Sequence, residues 1–74
     1  MKQATIIRTR QRAYRLGEIV FGKESSLTYR SGQIIDIDKK AHLVLILWRR
    51  QEEAEWLAPE ILDQTTGNQE WLWG

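Results

Sequence analysis

Six consecutive apolar residues, Leu43-Val44-Leu45-Ile46-Leu47-Trp48, form the longest such run in the chain. It is far short of the roughly twenty residues that cross a bilayer as a helix. No neighbouring segment extends it with a 3.6-residue period, so it reads as a strand. Successive side chains of a strand point to opposite faces, and this strand is therefore apolar on both. One face fills a core. The other has to be covered by another part of the chain or by a partner.

The chain has 74 residues and no cysteine, so its core has to be built from apolar side chains without disulfides or thiolate metal sites. Four tryptophans among those residues supply large buried areas at low entropic cost. The rest of the sequence divides into short segments bounded by turn residues. Glu18 to Phe21 is a strand closed by Gly22, and Lys23 to Tyr29 is a loop. Ser31-Gly32 opens a strand from Gln33 to Asp38, whose apolar members are Ile34, Ile35 and Ile37. Asp38-Lys39-Lys40 is a turn, and the next strand runs from about His42 to Arg49. Arg50 to Glu53 is a hairpin turn. Glu55-Trp56-Leu57 is a strand that Pro59 ends, because proline lacks the N–H a ladder requires. Pro59 to Leu62 suits one helical turn with proline at its first position.

These short strands, spaced about ten residues apart, predict an all-β fold, a small barrel of four to five antiparallel strands. The order of strand, long loop, strand, tight turn, strand, tight turn, strand and helical turn resembles SH3-like barrels, including Tudor and KOW domains. The resemblance covers residues 16 to 62, with 1–15 as a basic arm or strand before it and 63–74 as a tail. The segments Gly32 to Asp38 (GQIIDID) and Trp56 to Leu62 (WLAPEIL) are similar to the small O-type barrel subunits of the cyanobacterial and plastid NADH-dehydrogenase-like complex. That similarity implies a non-enzymatic accessory subunit of a larger assembly.

Charge is unevenly placed. Residues 1–15 carry Lys2, Arg8, Arg10, Arg12 and Arg15 with no acid, whereas the other 59 residues hold six basic and ten acidic side chains. The alternation in Thr5-Ile6-Ile7-Arg8-Thr9-Arg10 fits a strand whose arginines face water or pair with the acidic end of the same chain. The competing reading is an arm that grips phosphate, with Arg8, Arg10, Arg12 and Arg15, together with Lys39 and Lys40, as the cations. Tyr14 and Tyr29 would stack on bases.

The expected function is a protein–protein contact or self-association through the outer face of the Leu43–Trp48 strand. Its residues are Ile35, Leu43, Leu45 and Leu47, joined by Trp71 and Trp73 of the tail, because large apolar patches on a surface usually mark contacts. The tail, or Ile6-Ile7 from the arm, would cover the same face if no partner does. Tudor domains hold methylated cations in aromatic cages, and Phe21, Tyr29, Trp48 and Trp56 are the candidates here. Packing in the core or at a strand edge is the competing role for Trp48 and Trp56, and packing in the core for Phe21.

Enzyme chemistry has little basis. His42 stands alone beside Lys39 and Lys40 and reads as a solvated turn residue, with no sequence context for a triad. The glycines are scattered one to a turn and form no phosphate loop. Asp36 and Asp38 share a strand face but more simply flank a turn. No catalytic residue, metal or cofactor is expected. The basic N-terminus lacks the apolar stretch of a secretory signal, and a cytoplasmic location is expected.

Overall fold

The computed structural model describes residues 4–23, 29–50 and 53–65. They form an all-β fold of six antiparallel strands and one short helix. The strands are β1 (Ile6–Arg8), β2 (Ala13–Arg15), β3 (Ile19–Lys23), β4 (Tyr29–Asp38), β5 (Leu43–Trp48) and β6 (Ala54–Leu57), and the helix α1 is Pro59–Asp63. β1 and β2 pair as a separate hairpin, while β3-β4-β5-β6 form one meandering sheet.

The basic arm is therefore a hairpin. Its turn is set by Thr9, whose Oγ1 accepts from the N–H groups of Gln11 (3.1 Å) and Arg12 (3.2 Å). The hydroxyl thus stands in for a backbone acceptor, a common use of threonine in turns. Opposite pairs share a face, so the register Ile7 to Tyr14 places these two large side chains together. Both are buried in the core. Neither covers the outer face of β5.

Gly17 turns the chain from the hairpin into the sheet with φ +88°, a conformation that glycine adopts without steric cost. Its N–H donates to the Ile34 carbonyl at 2.7 Å, and Ile34 N–H donates to the Glu18 carbonyl at 3.0 Å. These bonds dock the turn onto β4 before β3 begins.

Period-two alternation is clean along β5. Val44, Ile46 and Trp48 are buried, and Leu47 is exposed. Along β4 the alternation breaks, because Ile34 pairs with Ile46 but Asp36 pairs with Leu45, leaving Ile35 as an extra bulged residue. The bulge switches the inward positions from Gly32 and Ile34 to Ile37. It also explains why two isoleucines stand side by side in sequence.

Trp48 is the largest core residue, and it lies across two glycines. A Cβ at Gly22 would stand 2.5 Å from its ring, and one at Gly32 would stand 2.7 Å from both Ile46 Cγ2 and Trp48 Cε3. The indole needs this missing volume.

The predicted barrel is not closed. β3 and β6 are the two edges of the sheet, and no ladder joins them among the described residues. The helix spans part of the gap instead. It follows β6 in the chain, buries Pro59 and Leu62, and contacts β3. Just past its end, Thr65 Oγ1 donates to the Phe21 carbonyl of β3.

Candidate functional site

The outer face of the sheet carries an apolar surface assembled from four strands. The register sets Ile19 opposite Gln33, Gln33 opposite Leu47, and Leu47 opposite Ala54. In the adjacent row Leu45 faces Asp36 on one side and Trp56 on the other. Ile19 (54%), Trp56 (44%), Ile35 (39%) and Leu47 (38%) remain substantially exposed. Leu43 and Leu45 are half-buried between them. Of the residues expected on this surface, Ile35 and Leu47 are exposed and Leu43 and Leu45 half-buried, whereas Val44, Ile46 and Trp48 form the set that faces inward; Trp71 and Trp73 fall outside the described residues. Ile19 and Trp56 were missed. Their strands are short, and only register reveals that Trp56 lies opposite Leu45 and that Ile19 lies in line with Leu47 across Gln33.

A shallow groove of about 390 Å³ lies at one end of this face, where Ile19, Gln33 and Leu47 meet Arg49 and Arg50. Arg50 adopts a positive φ of 73°.

The inner face ends in a cleft of about 280 Å³ beneath α1, lined by Arg30, Trp48, Glu55, Leu57, Ile61 and Thr65 among others. The Arg30 guanidinium stacks over the Trp48 ring at 4.1 Å from its centroid. Trp48 Nε1 donates to Glu55 Oε1 at 3.3 Å, and the same oxygen lies 3.7 Å from Arg30 Nη2. Arginine, indole and carboxylate thus form one cluster capping the core.

The aromatic cage does not assemble. Trp48 is buried on the inner face, with Arg30 stacked on it, whereas Trp56 is on the outer face beside Leu45. Tyr29, exposed at the start of β4, lines the same cleft as Trp48, so these two candidates come together, whereas Phe21 is half-buried on β3.

Of the cations assigned to phosphate binding, Arg12 is engaged within the chain. It forms an ion pair with Glu18 and stacks over the Tyr14 ring at 4.6 Å. Its partner is thus Glu18, and not the acidic C-terminal part. Tyr14 has no exposed surface and cannot stack on a base. Burial foremost, and then its hydrogen bond to Asp63, push the Tyr14 phenol well above its ordinary range. Arg8, Arg10 and Arg15 are exposed.

The remaining polar candidates satisfy backbone or each other. Asp36 Oδ1 accepts from Ile37 N–H at 2.8 Å, and Asp38 Oδ1 accepts from Ala41 N–H at 3.0 Å. His42, exposed at a positive φ of 57°, lies with Nε2 2.6 Å from Glu60 Oε2 on α1. That hydrogen bond holds the Glu60 carboxyl below its ordinary range. Among the described residues, no group of three or more His, Asp or Glu side chains is placed to hold a metal ion. No helix among them is long and apolar enough to cross a membrane.

Comparison with family models, with curated proteins and with solved structures finds no match to this chain.

Proposed function

We propose that this protein is a non-enzymatic interaction module that associates through the outer face of its four-stranded sheet, with a protein partner or with a second copy of itself. One observation carries the reading: Ile19, Ile35, Leu47 and Trp56 are exposed on one face, with half-buried Leu45 opposite Trp56 and Leu43 continuing the row along β5. Isolated exposed apolar residues are ordinary, but a patch drawn from four neighbouring strands is the usual mark of a contact surface. Aromatic anchors such as Trp56 are enriched at such surfaces.

The test is light scattering of the purified chain over a range of concentrations, with and without the change Leu47→Glu. Leu47 points away from the core, so the variant should keep the parent's unfolding midpoint. Association that grows with concentration in the parent and disappears in the variant supports the reading. A parent that stays monomeric throughout removes self-association. Loss of folding in Leu47→Glu would place Leu47 in the core and remove the face itself.

A further inference from the structure

We infer that the hairpin of β1 and β2 presents an arginine face that binds the phosphate backbone of a nucleic acid, separately from the apolar face of the sheet. The hairpin has two sides. Ile7 and Tyr14, opposite each other in register, are buried in the core. The alternate positions Arg8 and Arg15 then share the outward side, two residues out of register with one another, and Arg10 is exposed in the turn that joins the two strands. All three are exposed. Arg12, the one arginine of the hairpin turned to an internal partner, is matched by Glu18. Among the described residues no acid forms an ion pair with Arg8, Arg10 or Arg15.

Three like charges on one small hairpin repel each other, which raises the gain from any anion that bridges them. The hairpin cannot relieve this by moving away, because the Tyr14–Asp63 hydrogen bond and Ile7 anchor it to the body. The cations here are all arginine. A planar guanidinium donates in a fork that matches phosphate oxygens and is weakly hydrated, whereas a diffuse anionic surface is served equally well by lysine. The one aromatic of the hairpin, Tyr14, faces inward. The hairpin therefore offers no aromatic ring for a base to stack on, and contacts to the phosphate backbone would make binding independent of sequence.

Three phosphate contacts fix the expected salt dependence. Affinity should fall about 20-fold for a single strand, or about 40-fold for a duplex, between about 50 mM and about 200 mM salt. The experiment is fluorescence anisotropy with labelled single-stranded and duplex oligonucleotides of unrelated sequences at those two salt concentrations, and the affinities at the lower salt tell which form is preferred. Arg8→Gln/Arg10→Gln/Arg15→Gln should abolish the salt-dependent binding, while Lys39→Gln/Lys40→Gln at the far turn should leave it unchanged. Arg10→Gln alone, at the exposed turn, should lower the slope by about one contact and serves if the triple variant does not fold. No binding at the lower salt, equal loss from the Lys39 and Lys40 changes, or binding to vesicles containing anionic lipid but to neither oligonucleotide would overturn the inference. Because none of these residues lies on the apolar face, Leu47→Glu should leave oligonucleotide binding intact, so the two surfaces succeed or fail independently.

Discussion

The Tyr14 hydroxyl donates a 2.6 Å hydrogen bond to Oδ1 of Asp63, joining two residues 49 positions apart in the chain. Both side chains are buried, and the bond ties the N-terminal hairpin to the last residue of α1. It makes one body of three parts that share no ladder: the hairpin, the sheet and the helix. A buried polar pair of this kind is costly to break from one side only, since the remaining group loses its partner without regaining water.

Tyr14→Phe should therefore destabilise the protein by roughly 1–3 kcal/mol, read as a lower urea midpoint at unchanged slope. Pairing it with Asp63→Leu should cost less than the two single changes added, because the double variant leaves no orphaned group. Strict additivity in that cycle would show that the two residues are not coupled.

The same bond sets an alkaline limit. The Tyr14 phenol is raised in the folded state by burial and by Asp63, so the folded protein holds its proton when the unfolded chain has released it. The contribution is complete below the ordinary tyrosine value of about 10 and is lost as pH rises beyond it toward the folded value. Thermal midpoints should decline above about pH 10 in the parent, and this decline should be shallower in Tyr14→Phe. Parallel alkaline limbs for the two proteins would contradict the assignment.

On the acid side the relevant pair is Glu60 with His42. The hydrogen bond from His42 lowers the Glu60 carboxyl in the folded state. Its contribution is present above the ordinary glutamate value of about 4.3 and disappears as pH falls through the lower folded value. Glu60→Gln should flatten the acid limb of the stability profile. The effect will be modest because both side chains are exposed, and an acid limb identical to the parent's would remove the pair from the account.

Glycine at positions 22 and 32 is required for space, and at position 17 for backbone conformation. Gly32→Ala should destabilise by about 1–3 kcal/mol, because the new methyl meets a buried indole and Ile46 with no room to retreat. Gly17→Asn should be tolerated better than Gly17→Ala, since nothing lies within 4 Å of that position and asparagine visits positive φ more readily. Urea midpoints of the three variants separate the two causes. A harmless Gly32→Ala would mean that the indole does not lie across β4 as described.

The strands were legible in the sequence because their signals are local. β-branched and aromatic runs broken by Gly17, by Asp38-Lys39-Lys40 and by Pro59 mark the four strands of the sheet, but β4 begins at Tyr29 and not at Gln33, and the expected single N-terminal arm or strand is the two-stranded hairpin β1–β2. The sequence also determined that the Leu43–Trp48 strand carries apolar side chains on two faces, since period two admits no other outcome. It could not say which set faces inward. That choice was made by the bulge at Ile35 and by Gly22 and Gly32, which together admit Trp48 on the inner side and turn Leu47 out. The fate of the arginines was likewise a tertiary matter. Arg12 met Glu18 because the Gly17 turn folds back, whereas Arg8, Arg10 and Arg15 were left on the outer side of a hairpin whose other side is buried. Spacing along the chain fixes which side chains share a strand face, but only the packing of one element on another decides which face loses its water.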